Sequence, residues 1–253
     1  MMKQIFKICV CVFGQDNMLR FLKLLSSLSR KIAFTMHKLQ FKFEWGSDQT
    51  PEWFDHYIDQ FYLFRSTKNP LWLERGTFNL LAIKQNAKVL ELCCGDGYNS
   101  FHFYSIRAKS IVSVDFDITA ISHAKKYNRA NNVEFLLCDI RSQMPDDHYD
   151  NILWDAGIAH FTELEIDQLM VNIKKRLNGN GILSGYTIVE RLDGKSLAQH
   201  EYEFKSKDDL VRFFVPHFKN VKVFETIYPS RHNLFFWVSD GILPFDNEWE
   251  HSS

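Results

Sequence analysis

Four carboxylates in the middle of the chain carry its most readable chemistry. Glu91, Asp115, Asp139 and Asp155 stand at or near the ends of successive apolar runs, spaced 24, 24 and 16 residues apart. The runs read KVLEL, SIVSVD, VEFLLCD and DNILWD, the length and composition of buried strands. Acids repeated at strand ends line one edge of a parallel sheet. Such a row accepts hydrogen bonds from hydroxyl and amino groups and attracts cations. Between the first and second acids lies Cys93-Cys94-Gly95-Asp96-Gly97, a turn stripped of side chains where backbone must pass close to something. Gly-Asp-Gly alone is also the composition of an ordinary tight turn.

The elements that must hold these residues follow from the pattern on either side. Strands are expected at 88–93, 110–114, 133–138, 150–154 and 181–188, with helices from Gly97 and over 118–130 and 162–177. Asn178-Gly179-Asn180-Gly181 is expected to cap the last of these helices and open the next strand. A helix over 207–216 then leads to two closing strands, 220–226 and 234–239. Upstream, Leu71 to Gln85 reads as a helix that enters the first strand, and Pro51 to Phe64 as an aromatic helical segment. Strand and helix alternating about a glycine turn make a binding crevice at the carboxyl edge of the sheet.

On these residues the chain resembles the cofactor half of a class I S-adenosylmethionine-dependent methyltransferase, whose first motif is an acid followed by G-x-G-x-G. Here the acid is Glu91, and the glycine positions hold Cys93, Gly95 and Gly97. The resemblance implies an α/β fold: a Rossmann-like, seven-stranded, mostly parallel sheet with helices on both faces and an antiparallel C-terminal hairpin. It implies S-adenosyl-L-methionine as cofactor, with Glu91 facing its methionine end and Gly95 and Gly97 admitting the backbone to it. Asp115 takes the ribose hydroxyls, with Phe116 on the adenine face. Asp139 and Ile140 meet the adenine amino group and ring, and Asp155 opens the fourth motif. For each acid a helix N-cap is the alternative role, and Asp117, before Ile118, is read as the cap.

Physical chemistry sets this reading apart from dinucleotide binding. A pyrophosphate needs backbone N–H groups and no neighbouring anion, whereas Glu91 would repel it and Ser100 stands where a third glycine would be. A ligand with an ammonium and a sulfonium suits an acidic site. Sulfonium methyl transfer is an in-line displacement, so it needs positioning, and a base only where the acceptor must lose a proton. His160, five residues past Asp155, is the candidate base, with His200 as the second candidate. Either could instead be a hydrogen-bonded structural histidine.

No D-P-P-Y or N-P-P-Y follows the fourth strand, and no cysteine stands there for covalent C5-pyrimidine chemistry. A small-molecule, sugar or lipid-linked acceptor remains, methylated on oxygen or nitrogen. The alternative is a cofactor-binding regulatory or scaffold protein without transfer activity. Tyr57, Tyr62, Arg65, Trp72, Arg75 and Tyr186 are candidate pocket residues, with core packing as the competing role of the aromatics.

Composition bounds the rest. The chain has 253 residues, 45% of them hydrophobic, enough for one large domain or one domain with additions, and 23 phenylalanines promise an aromatic core. Residues 1–43 carry eight Lys/Arg against Asp16 alone, although the whole chain has a formal net charge of −1. The body is therefore acidic, and no nucleic-acid partner is expected. The expected division is a basic amphipathic or disordered leader over 1–43, then the catalytic domain over 44–253, with Gly46-Ser47-Asp48 as breakers. Residues 18–34 place apolar positions at helical spacing among basic ones, a candidate for peripheral membrane contact; packing on the domain is the alternative. Five cysteines with neither C-x-x-C nor histidine partners at zinc spacing predict reduced thiols, a cytoplasmic setting and no metal site.

Overall fold

A computed structural model describes residues 15–45, 71–191, 199–228 and 231–246. The chain divides into two compact units, Met1–Thr67 and Lys68–Ser253. In the first, one long helix, α1, spans Gln15–Trp45. The expected boundary at 43/44 thus falls within its last turn. Tyr57, Tyr62 and Arg65 lie outside the described residues, as do Cys9 and Cys11.

The second unit is built on a seven-stranded sheet ordered β3-β2-β1-β4-β5-β7-β6. The strands are β1 Lys88–Leu92, β2 Ser110–Asp115, β3 Val133–Leu137, β4 Tyr149–Asp155, β5 Leu177–Ile188, β6 Asn220–Tyr228 and β7 Arg231–Ser239. The first five pair in parallel, while β7 inserts antiparallel between β5 and β6. Strand order reverses at β1, which is flanked by β2 and β4, so the crevice of such sheets opens at the carboxyl ends of these strands.

Side chains alternate across the sheet, and this sorts the helices and the acids together. Val89, Ile111 and Leu153 face one side with Ile83, Tyr104 and Ala108. Leu90, Leu92, Ile152 and Trp154 face the other, against Ile166, Leu169, Met170 and Ile173 of α5 (Glu163–Arg176). The first face carries α2 (Leu71–Ala82), α3 (Tyr98–His102) and α4 (Ile118–Tyr127). Glu91, Asp115 and Asp155 share parity with Val89, Ile111 and Leu153, so all three turn toward α2–α4 at the same edge. On the α5 side Phe204, Phe213, Phe214, Phe218 and Phe236 supply the aromatic core.

Local chemistry fixes the helix ends. Asp117 caps α4, accepting from Thr119 N at 2.7 Å and Ala120 N at 3.4 Å. Thr162 and Glu165 form a reciprocal capping box on α5. Helix α4 stops at Tyr127 rather than at residue 130, because the buried Asn128 turns its side chain to Asp96 O at 2.7 Å. The expected glycine cap after α5 is corrected: Leu177 is already extended, and neither Gly179 nor Gly181 adopts a left-handed conformation. These residues instead absorb the register shift through which β5 resumes pairing with β4 at Asn151–Ile182. The helix expected over 207–216 is short, α6 at Lys207–Val211, because Phe213, Phe214 and Phe218 turn into the core.

Candidate functional site

The turn after β1 contains three residues in the left-handed region: Cys93 (φ 57), Gly95 (φ 55) and Gly97 (φ 73). The two glycines differ in purpose. A Cβ at Gly95 would meet nothing within 4 Å, so its backbone lies bare to open space. A Cβ at Gly97 would strike the Phe135 ring at 2.5 Å and Ala124 at 3.0 Å. Gly97 is therefore needed for packing against the sheet and α4, besides its backbone conformation. Cys93 holds with a side chain a conformation that costs L-residues about 1–2 kcal/mol. Space for that side chain is left by Gly157, whose Cβ would sit 2.9 Å from Cys93 Sγ and 2.8 Å from Trp154 Nε1. Burial pushes the Cys93 thiol well up, so it stays protonated.

Glu91 is 2% exposed, and its Oε2 takes hydrogen bonds from Ser113 Oγ at 2.7 Å and from Ser100 Oγ. Burial pushes its carboxyl up to about 8, against the opposing pull of the two serine hydroxyls. Ser100, which breaks the dinucleotide pattern in sequence, thus serves the acid of the first motif. Asp115, also buried, accepts from Gly95 N and Asp117 N, each at 2.9 Å. Burial raises its carboxyl too, and these backbone bonds oppose the rise. A carboxylate has about four lone-pair sites, so two such bonds leave capacity for a diol. Phe116 beside it is 68% exposed.

Asp139 lies past β3 with its side chain 45% exposed; it accepts from Arg141 N at 3.0 Å and stands 3.7 Å from Arg141 Nη1. Ile140 is buried in the main core. Arg141 ties this loop to the next one, donating to His160 O at 3.1 Å and to Glu165 Oε1 at 3.0 Å.

Asp155 is the most heavily bonded acid of the series. Its Oδ2 accepts from Arg75 Nε at 2.9 Å, Arg75 Nη2 at 2.6 Å and Asn99 Nδ2 at 3.0 Å, and its Oδ1 from Asn79 Nδ2 at 3.2 Å. Burial works against the Arg75 charge, and the adjoining Asp155 more than offsets it, leaving the guanidinium raised. Because an ionised carboxylate only accepts, both asparagines must present N–H to it, which turns their oxygens the other way. Asn79 Oδ1 and Asn99 Oδ1 are buried and, among the described residues, have no hydrogen-bond partner. Two orphaned acceptors beside a buried carboxylate suit a donor-rich, cationic ligand group and repel a phosphate.

The two histidines come together, with ring centroids 5.2 Å apart. His160 Nδ1 is 2.8 Å from Gln199 O, and His200 Nδ1 is 3.2 Å from Glu203 Oε1. A carbonyl can only accept, so His160 Nδ1 carries the hydrogen and its Nε2 is the lone-pair nitrogen in the neutral ring.

Ser100, Ser113, Asn79, Asn99 and Arg141 escape sequence reasoning. The distance between Arg75 and Asp155, 80 residues, shows why: no periodicity links them. Only their placement by the fold does. Trp72 lies in α2, but its side chain is outside the described residues.

A family model described as a methyltransferase domain matches residues 83–222. The chain is 32% identical over 97 residues to a malonyl-[acyl-carrier protein] O-methyltransferase from Bacillus cytotoxicus, covering 38% of this chain and 33% of that protein. It is 30% identical over 131 residues to an (S)-coclaurine N-methyltransferase from Thalictrum flavum, covering 50% of this chain and 34% of that protein. The chain thus spans about a third of the length of these curated relatives. Among solved structures, the N-methyltransferase NodS from Bradyrhizobium japonicum in complex with S-adenosyl-L-homocysteine superposes with a TM-score of 0.57 at 16% identity, over 70% of this chain and 91% of that one. The complex titled DhpI-SAM-HEP gives a TM-score of 0.55 at 17% identity, over 81% and 97% of the respective chains. At these identities the structural likeness establishes the fold alone.

Proposed function

The chain belongs to the class I S-adenosylmethionine-dependent methyltransferase family, and from that premise we propose that it transfers a methyl group from S-adenosylmethionine to an oxygen or nitrogen of a small-molecule, sugar or lipid-linked acceptor. The observation that carries the reading is the set of carboxyl groups of Glu91, Asp115 and Asp155 on one face of the sheet, with the bare backbone of Gly95 bound to Asp115. Bound there, the cofactor supplies a methyl group activated by a sulfonium. Asp115 accepts the ribose hydroxyls. The orphaned oxygens of Asn79 and Asn99 accept from the ammonium, and Asp155 holds both amides in that orientation. Phe116 is exposed for stacking on the adenine.

His160 is the residue assigned to take a proton from the acceptor. Its Nδ1 is tied to a carbonyl, which leaves Nε2 to receive the proton. His160→Ala lowers turnover by about 10²–10⁴-fold with cofactor affinity unchanged if it is the base, and leaves turnover intact if His160 only packs. Calorimetry tests the reading as a whole. S-adenosylmethionine and its demethylated product should bind, and NAD should bind far more weakly. NAD binding with no response to either sulfur compound would sink the proposal.

A second reading concerns α1, where the expected peripheral contact extends past residues 18–34. Phe21, Leu25, Leu28, Ile32, Met36 and Phe43 form a stripe along the helix and are all exposed, Phe43 at 84%. Arg20, Lys23, Arg30, Lys31 and Lys38 fall away from this stripe. An exposed apolar stripe with these cations off it fits an anionic lipid surface. Among the described residues no helix is long and apolar enough to cross a membrane. Co-sedimentation with phosphatidylserine-containing vesicles, abolished by Leu25→Glu with Ile32→Glu and absent with pure phosphatidylcholine, is the expected result. Equal sedimentation of the variant would remove the assignment.

A further inference from the structure

The part of the edge built by β5, β6 and β7 holds a second polar cluster, on the same sheet face as the acids. Residue Tyr186 of β5 is its centre. Its hydroxyl donates to Asn233 Oδ1 at 3.1 Å and accepts from Arg231 Nε at 2.9 Å. Asn233 Nδ2 donates to Thr226 Oγ1 at 3.1 Å, and Thr226 Oγ1 donates to Glu74 Oε2 at 2.9 Å. Tyr228 closes the chain by donating its hydroxyl to Glu74 Oε1. One continuous run of hydrogen bonds therefore fixes residues from α2, β5, β6 and β7.

Charges within this cluster are unevenly matched. Arg75 lies over one region of the Tyr186 ring, 5.1 Å from its centroid, and has Asp155 as its counter-ion. Glu74 is occupied by two hydroxyls. The guanidinium of Arg231 stands 5.9 Å from the same ring centroid and is held by Nε alone. Among the described residues its two Nη nitrogens have no hydrogen-bond acceptor, and no carboxylate lies within ion-pair distance. Burial raises the Tyr186 hydroxyl to about 12, so it remains a neutral donor that cannot neutralise Arg231. A guanidinium oriented through Nε and open at Nη presents a fork matched to a planar or tetrahedral oxyanion.

We infer that Arg231 anchors an anionic group, a carboxylate or a phosphate, on the methyl acceptor. The inference rests on the methyltransferase reading and narrows its acceptor class. Tyr186 lies against both Arg231 and the Arg75 of the Arg75–Asp155 pair, so an acceptor anchored at Arg231 is held beside the cofactor crevice. Tyr186 and Asn233 act as positioning residues for Arg231.

Titration of the full chain, saturated with S-adenosylhomocysteine, with acetate, methyl phosphate and neutral acetamide at constant ionic strength tests this. The readout is the Arg231 Nε–H resonance in protein carrying ¹⁵N-labelled arginine, identified by its loss in Arg231→Gln. Acetate or methyl phosphate should shift that resonance saturably and acetamide should not, and anion affinity measured by calorimetry should fall about tenfold in Arg231→Gln. Acetamide acting like acetate, or Arg231→Gln binding the anions as well as the unaltered chain does, overturns the proposal. Should Arg231→Gln not fold, the conservative Arg231→Lys, which also lacks the guanidinium Nε–H, identifies the resonance, and the comparison of acetate with acetamide decides. A chain that takes the anion at Arg231 but does not bind S-adenosylhomocysteine refutes the methyltransferase reading and leaves the anion site standing.

Discussion

The two halves of the sheet's carboxyl edge carry opposite chemistry. Around β1, β2 and β4 the buried acidic groups are carboxyls, held by hydroxyls, amides, backbone N–H and, at Asp155, the Arg75 guanidinium. Around β5 and β7 the open charge is a guanidinium, and the rest of the cluster is neutral or matched. Such a division assigns cation and diol recognition to the first half and anion recognition to the second. It also shows that an acid can be buried in one half only because the fold supplies its partners from far along the chain.

The sharpest way to break the acidic half is to remove Asp155. Asp155→Ala strands Arg75, whose side chain is 13% exposed, together with the amides of Asn79 and Asn99. Loss of one partner from a buried ion pair costs about 3–5 kcal/mol, because the remaining charge keeps its desolvation penalty. Urea unfolding should show that loss. Arg231→Gln should cost far less, since Arg231 has no counter-ion among the described residues. Equal losses would mean the two arginines are not different in kind.

Glu91 sharpens the comparison through pH. Its folded carboxyl, near 8, lies above the unfolded value of about 4.5, so the native state holds the proton more tightly. The stability this confers is complete below pH 4.5 and is lost as pH rises toward 8. Linkage puts the loss between pH 5.5 and 8 at about 2–3 kcal/mol. Glu91→Gln should remove that slope and leave a flatter profile. An unchanged slope would show that another group titrates.

How much of this was legible in the sequence differs between the halves for a physical reason. The strand-end acids recur at the spacing of a βαβ repeat, so Asp115 and Asp155 could be placed on one edge before any coordinates. Their partners could not. Ser113 lies 22 residues from Glu91 and Arg75 lies 80 from Asp155, distances that no local period encodes. The basic half depends wholly on β7 inserting antiparallel between β5 and β6, which brings Arg231 to Tyr186 across 45 residues. Periodicity suggested the terminal hairpin, but only the register Ile188–Asn233 and Tyr228–Arg231 places the guanidinium at the edge. Helical periodicity overstates helix length where a side chain has a better partner off the helix, as Asn128 has in Asp96.

Asp115 gives the next smaller effect and bears on the ligand itself. Asp115→Ala should weaken binding of S-adenosylhomocysteine by about 1.5–3 kcal/mol, the range for hydrogen bonds lost to a charged group. Calorimetry reads this directly, and Arg231→Gln serves as the control whose affinity for that ligand should not change. Unchanged affinity in Asp115→Ala would place the ribose elsewhere along the edge.

The smallest single effect is expected at Cys93, where two opposing terms nearly cancel. Cys93→Gly relieves a left-handed side chain, a gain of about 1–2 kcal/mol. It also frees the unfolded chain by about 0.4–1 kcal/mol and removes the sulfur packed against Gly157. A net change within about 0.5 kcal/mol follows. The informative experiment is the pair. In the unaltered chain Gly157→Ala drives a methyl to 2.9 Å from Cys93 Sγ and must destabilise. In a Cys93→Gly background that clash is gone, and Gly157 has an ordinary φ of −92 that accepts alanine without strain. The residual approach to Trp154 Nε1 at 2.8 Å keeps the rescue partial. A double-mutant cycle should therefore return a favourable coupling of about 1 kcal/mol. Additive losses would show that Cys93 and Gly157 were not matched to each other, and that the cysteine is accommodated by backbone movement at the turn instead.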